Sequence, residues 1–124
     1  RFVFQSEVLC PSASAALEPG GREQIQRLAD TLKEIAEKIP PDLDWVLRVD
    51  GHTDRRPIST AAYPSNWELS SARAIEVVKT LIAEGIPPDR LVAAGFGEYQ
   101  PIAAGESPAA FSRNRRIEFK LTER

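Results

Sequence analysis

Two polar segments of the chain combine residue types that bind charged ligands. The first is Gly51-His52-Thr53-Asp54, which ends a run of alternating apolar residues, and the second is the start of a helix-like run that contains Arg73. At a rise of about 1.5 Å per residue, Arg73 lies roughly 12 Å along a helix that begins after Ser65. Residues 55–64 are long enough to bring Asp54 back towards Arg73. A carboxylate and a guanidinium could bind a ligand there, or they could form only a surface ion pair.

His52 is the one histidine of the chain, which raises the question of catalysis or metal binding. The sequence has no nucleophile motif beside it, and Asp54 is the one further metal ligand nearby. We therefore predict that His52 shapes the turn through hydrogen bonds, and that the protein is not an enzyme and has no metal and no cofactor. A hydrolase that uses His52 and Asp54 is the alternative.

The spacing of apolar residues predicts an α+β fold in the order β-α-β-α-β-β. In this two-layer sandwich, helices cover one face of a mixed sheet of about four strands. Strands are predicted at residues 2–9, 45–50, 91–96 and 116–121, and helices at residues 19–39 and 66–84. Ser65-x-x-Glu68 is a capping box that opens the second helix, and Gly85-Ile86 predicts a Schellman-type end. Residues 103–112 are predicted to form a loop with at most a short helix.

An aromatic residue and two glycines near the candidate site are predicted to have structural roles. We predict that Trp67 packs under the loop, with stacking on a sugar as the alternative. Gly95 and Gly97 are predicted to form turns. The densest basic cluster is Arg113, Arg115 and Arg116. It is either a solvated rim or a surface that attracts an anionic polymer.

Composition excludes several classes of function. The 16 basic and 18 acidic side chains give a formal net charge of −2, which argues against nucleic-acid binding. The one cysteine, Cys10, cannot form an internal disulfide and is predicted to be a small half-buried filler, and there is no four-ligand zinc site. No apolar run approaches the roughly 20 residues that span a bilayer. The 124 residues fit one domain over residues 1–124, and the absence of methionine suggests that it was excised from a longer protein.

Four motifs in this order resemble the OmpA-like peptidoglycan-binding domain. They are Gly51-His52-Thr53-Asp54, Ser65-Asn66-Trp67-Glu68-Leu69-Ser70-x-x-Arg73-Ala74, Gly95-x-Gly97-Glu98-x-x-Pro101 and Asn114-Arg115-Arg116-Ile117. The resemblance covers nearly the whole chain. The Ser-Asn-Trp-Glu-Leu-Ser stretch and the longer loop before it are more similar to the branch of flagellar stator MotB proteins than to the outer-membrane porin branch.

The resemblance implies non-catalytic binding of the peptide stem of peptidoglycan, chiefly the zwitterion of meso-diaminopimelate. By the family's pattern, Asp54 would bind the ammonium and Arg73 the carboxylate, and the planar guanidinium of arginine matches that group. Other residues that match the family's site are Thr53, Asn66, Leu69, Ser70, Asn114 and Arg115.

The same resemblance implies a role and a location. The domain would anchor a cell-envelope protein to the cell wall from the periplasm, as the soluble part of an inner-membrane protein or, as second choice, of an outer-membrane protein. Its membrane contact would come only through an upstream segment. The expected partners are peptidoglycan and a second copy in a homodimer, and a dimerisation domain without a ligand is the alternative function.

Overall fold

The computed structural model describes residues 2–5, 15 and 17–124. In chain order, these residues form strand β1 (Phe2–Gln5), helix α1 (Pro19–Lys38), strand β2 (Trp45–His52), helix α2 (Asn66–Ala83), strand β3 (Leu91–Gly95), helix α3 (Pro108–Asn114) and strand β4 (Arg116–Glu123). A 3-10 helix, Pro88–Arg90, precedes β3. Residues 6–9 of the predicted first strand and Cys10 lie outside the described residues.

The four strands form one mixed sheet in the order β1-β4-β2-β3. Strands β2 and β3 run parallel, whereas β4 is antiparallel to both β1 and β2. The core joins α1 and α2 to one face of the sheet, and its largest fully buried side chains include Phe119, Ile25, Leu32, Leu47, Leu81, Ile117, Val49 and Val77. The predicted α+β fold is therefore confirmed.

The ends of α2 follow from local sequence. Ser65 caps the helix: its hydroxyl accepts the backbone N–H of Trp67 at 3.2 Å and donates to the Glu68 carboxylate at 2.8 Å. At the other end, Gly85 has φ 100°, and the N–H of Ile86 bonds the carbonyl of Leu81 at 3.0 Å, which completes the predicted Schellman motif. These caps fix the length and position of the helix that carries Arg73.

The segment before β4 contains the short helix that the sequence allowed within the predicted loop. Helix α3 covers Pro108–Asn114, because Ser107 accepts the backbone N–H of Ala110 at 3.1 Å and Pro108 occupies the first turn. No helix in the described part of the chain is both long and apolar enough to cross a membrane.

Two glycines let α2 lie directly on the sheet. Gly51 on β2 pairs with Gly95 on β3, and both face the backbone of α2 at Ser70 and Ser71. A Cβ atom at Gly51 would stand 2.9 Å from the carbonyl carbon of Ser70, and one at Gly95 would stand 2.8 Å from the nitrogen of Ser71. Gly95 therefore permits close approach of the helix rather than a turn, whereas Gly97, with φ 63°, does form one.

Candidate ligand-binding site

The turn after β2 is fixed by hydrogen bonds to the turn after β3. Thr53 N–H bonds the carbonyl of Gly97 at 2.9 Å, and Phe96 N–H bonds the carbonyl of Gly51 at 3.0 Å. The N–H of Gly97 donates to the Ser70 hydroxyl at 3.0 Å, which ties both turns to α2. Asp54 therefore follows a rigid segment.

Asp54 is a buried carboxylate, 5% exposed, that is held by two arginines. Its Oδ1 accepts the backbone N–H of Arg56 at 2.8 Å. Its Oδ2 accepts from Arg56 Nε at 3.1 Å, from Arg56 Nη2 at 2.7 Å and from Arg115 Nη1 at 2.6 Å. Burial raises the pKa of the Asp54 carboxyl, but the hydrogen bonds from Arg56 and Arg115 outweigh it and hold that pKa below its ordinary value. Asp54 is ionised at neutral pH.

A cavity of about 290 Å³ opens beside this carboxylate. Its wall combines the turn after β2, the following loop, the first turns of α2 and the residue before β4. The lining residues are Thr53, Asp54, Arg56, Pro57, Ile58, Asn66, Leu69, Arg73 and Arg115. Of the eight predicted site residues, Thr53, Asp54, Asn66, Leu69, Arg73 and Arg115 thus meet at one cavity.

Arg73 places a buried guanidinium in the same wall as Asp54. The residue is 2% exposed and lies two turns into α2, where the close contact of the helix with Gly51 sets its depth. A cavity that contains both a buried carboxylate and a buried guanidinium can bind an ammonium and a carboxylate on one ligand.

Asn66 joins the loop to the helix. Its side-chain nitrogen donates to the carbonyl of Arg56 at 3.1 Å, to the carbonyl of Asp54 at 3.4 Å and to Glu98 Oε1 at 3.3 Å. Leu69, 5% exposed, supplies an apolar part of the same wall. The first turn of α2 therefore sets the shape of the cavity.

Ser70 and Asn114 lie beside this cavity rather than in its lining. Ser70 is fully buried and holds Gly97. Asn114 Oδ1 accepts the N–H groups of Ile102 and Ala103 at 2.8 and 2.9 Å, and it borders a neighbouring cavity that shares Asp54. Both side chains hold loops in place around the site.

Three lining residues were absent from the sequence prediction: Arg56, Pro57 and Ile58. All lie in the loop of residues 55–64, whose role the sequence left open. Arg56 bonds Asp54 and also stacks over Phe111 of α3, 4.9 Å from the ring centroid. The sequence did contain a signal for Arg56. An aspartate side chain readily bonds the backbone two residues on, and the residue two positions after Asp54 is the basic Arg56.

The basic cluster does not form one solvated rim. Arg113 is exposed, Arg115 reaches Asp54, and Arg116 is 2% exposed. Arg116 bonds the Glu118 carboxylate and, at 2.8 Å, the carbonyl of Gln100. The three arginines diverge because α3 ends and β4 begins between them.

His52 belongs to a second, separate cavity with Arg116 and Glu118. Its ring stacks on Phe96 with centroids 4.8 Å apart, and its Nε2 lies 3.9 Å from the Glu118 carboxylate. His52 is buried, at 4% exposure. Asp54 instead lines the candidate ligand cavity and the cavity beside Asn114. In the described part of the chain, the two residues of the hydrolase alternative therefore line different cavities. Among the described residues, no group of three or more His, Cys, Asp or Glu side chains could hold a metal ion.

The prediction that Trp67 packs under the loop is wrong. Trp67 is 50% exposed and stacks on Tyr99, which is 60% exposed, with centroids 5.2 Å apart. Its ring lies against the turn at Gly97, because the first turn of α2 directs this side chain away from the cavity wall that Asn66 and Leu69 form.

Comparison with known proteins identifies the family of this fold and site. The OmpA family model matches residues 1–115. Motility protein B of Bacillus subtilis is 36% identical over 93 residues, which cover 74% of this chain and 36% of that protein. Outer membrane protein A of Bordetella avium is 32% identical and covers 98% of this chain and 57% of its own length. The chain thus spans between about a third and three-fifths of these curated relatives.

Solved structures agree with the sequence comparison. A MotB-like protein from Desulfovibrio vulgaris superimposes with a TM-score of 0.85 at 32% identity, over 98% of this chain and 74% of that one. The cell wall anchor of the type VI secretion system from Pseudomonas aeruginosa gives a TM-score of 0.83 at 35% identity, over 98% and 78% of the two chains. The chain therefore belongs to the OmpA family and has the fold of its MotB-like members.

Proposed function

We propose that this chain binds the peptide stem of peptidoglycan without catalysis, through the cavity between Asp54 and Arg73. The observation that carries the proposal is the buried carboxylate and buried guanidinium in one cavity wall. The free end of meso-diaminopimelate carries an ammonium and a carboxylate on one carbon. Such an end would place the ammonium at Asp54 and the carboxylate at the planar fork of Arg73.

The construction of the site supports binding rather than catalysis. Asn66, Ser70 and Asn114 use their side chains to hold loops, so they fix the wall and are not placed as activated nucleophiles. Leu69 and Ile58 add apolar surface for the methylene groups of the ligand. A wall that is fixed before the ligand arrives lowers the entropic cost of binding.

Binding at this cavity would anchor a longer envelope protein to the cell wall. The similarity to motility protein B and to a secretion-system cell wall anchor supports this role. We propose that the domain, residues 1–124, lies in the periplasm as part of an inner-membrane protein. The fold that it shares with the periplasmic domain of Helicobacter pylori MotB, with a TM-score of 0.83, supports the periplasmic location. A homodimer stays a prediction.

Retention on insoluble peptidoglycan tests the proposal. The variants are Asp54→Asn, which removes the negative charge, and Arg73→Lys, which keeps the positive charge but removes the planar fork. Each loses charge-assisted hydrogen bonds to the ligand, so we expect each to bind about tenfold or more weakly than the native chain.

The matched controls are Asp44→Asn and Arg124→Lys, because these residues form an exposed ion pair beside the start of β2, away from the cavity after its end. Circular dichroism checks that every variant is folded. If the two site variants are retained as well as the two controls, the assignment of the site is wrong.

A further inference from the structure

The wall of the candidate cavity carries more positive than negative charge. Among the described residues that line it, three carry guanidiniums, Arg56, Arg73 and Arg115, whereas Asp54 supplies one carboxylate. A ligand end with one ammonium and one carboxylate adds no net charge, so the lining keeps two more guanidiniums than carboxylates. The charge of the cavity therefore favours a ligand with additional carboxylates.

Arg56 differs from the other two arginines in how it is placed. Its side chain is 56% exposed, whereas that of Arg115 is 21% exposed and Arg73 is 2% exposed. The Arg56 guanidinium bonds Asp54 Oδ2, the oxygen that Arg115 also bonds. The backbone N–H of Arg56 separately bonds Asp54 Oδ1, so the loop stays attached when the side chain moves.

Asp54 Oδ2 has too few lone pairs for all of these donors and a ligand ammonium. It already accepts three N–H groups, two from Arg56 and one from Arg115. The exposed Arg56 side chain can leave at the lowest cost, because it gains water contacts as it loses the carboxylate. It would then present its guanidinium to the ligand at the mouth of the cavity, beside the Phe111 ring.

We propose that Arg56 is a specificity-determining residue: its guanidinium holds Asp54 in the unliganded site and, when a ligand ammonium replaces it, binds a second carboxylate of the ligand. This inference rests on the proposed function. In a stem peptide, a D-glutamate joined through its side-chain carboxyl presents a free α-carboxylate next to diaminopimelate. The site therefore selects stem peptides in which that carboxylate is free over those in which it is a carboxamide.

Calorimetric titration with two synthetic tripeptides tests this selectivity. One is L-Ala-γ-D-Glu-meso-diaminopimelate, and the other has a carboxamide in place of the D-Glu α-carboxylate. We expect the native chain to bind the free acid about tenfold more tightly, as a lost charge-assisted hydrogen bond implies. In Arg56→Gln this preference disappears, because the free acid binds more weakly and the carboxamide binds at least as well as before. Arg56→Lys retains part of the preference.

Arg55→Gln is the matched control, because Arg55 has an equally exposed side chain that pairs with Glu106 and lies outside the lining of this cavity. It keeps the native preference. The inference is overturned if the native chain binds both tripeptides equally, or if Arg56→Gln keeps the preference. Binding of neither tripeptide by the folded native chain would refute the proposed function as well, so the two failures are distinguishable.

Discussion

Replacement of Gly51 by alanine tests the contact between α2 and the sheet, on which the shape of the cavity depends. The added Cβ would stand 2.9 Å from the carbonyl carbon of Ser70 and closer still to its oxygen. Carbon atoms in favourable contact lie about 3.5–4.0 Å apart, so helix and sheet must separate by roughly 1 Å. Neither partner can rotate away, because the Ser70 carbonyl belongs to the backbone and the backbone of residue 51 fixes the position of the Cβ.

The expected loss of stability is about 3 kcal/mol, the upper part of the range for overpacked positions. That loss corresponds to a decrease in Tm of roughly 10 °C for a chain of this size. Because the same separation moves Asn66, Leu69 and Arg73 relative to Asp54, the variant should also bind peptidoglycan more weakly than the native chain.

Urea unfolding followed by circular dichroism measures the effect, with Gly20→Ala as the control. Gly20 lies in the first turn of α1, and no atom lies within 4 Å of a Cβ added there. Alanine at this position should therefore leave the free energy of unfolding unchanged or raise it by up to about 1 kcal/mol. A Gly51→Ala variant within about 0.5 kcal/mol of the native chain would refute the close contact of α2 with the sheet.

Two further predictions concern the carboxylate and the helix cap. The folded state lowers the pKa of the Asp54 carboxyl, so the ionised carboxylate stabilises the fold. This stabilisation is complete when the pH is above the ordinary pKa of an aspartate, and it is lost as the pH falls through the lowered pKa of the folded state. The stability difference between native and Asp54→Asn chains should therefore be constant from pH 7 to about 5 and decrease below about pH 4; a difference that grows on acidification contradicts this. Ser65→Ala removes the α2 cap and should cost about 1 kcal/mol in urea unfolding, whereas Ser59→Ala in the exposed loop should cost less than about 0.5. Equal effects of the two serine changes would show that the cap does not stabilise α2.

The parts that local sequence determines were predicted well. The apolar period predicted α1 and α2, and the capping box and the Gly85-Ile86 pair predicted both ends of α2, because these signals depend on neighbouring residues only. The predicted meeting of Asp54 and Arg73 at one cavity followed from the motif order and from the length of the loop between them.

Two details that depend on tertiary packing were not predicted. Asp54 bonds both Arg56 and Arg115, because the loop of residues 55–64 folds back over the cavity. Asn66 sets the path of that loop through its bond to the carbonyl of Arg56, and no local sequence pattern encodes this path. The exposure of Trp67 was missed for a similar reason, since its position depends on the turn at Gly97.

The division of the basic cluster could have been predicted from the sequence. Successive side chains along a strand point to opposite faces of the sheet. Arg116, the first residue of β4, can therefore point in a different direction from Arg115. Arg115 reaches Asp54 in one cavity, and Arg116 pairs with Glu118 in another.

Binding of meso-diaminopimelate to the isolated chain most directly tests the proposed ligand site. Heteronuclear NMR titration of the native chain should shift the resonances of Asp54, Asn66 and Arg73 as binding proceeds, and should leave those of His52 and Phe96 in the separate cavity unchanged. The Asp54→Asn chain should show much smaller shifts at the same ligand concentration. If the native chain does not bind, or if the shifts are confined to the cavity around His52, the proposed site is wrong.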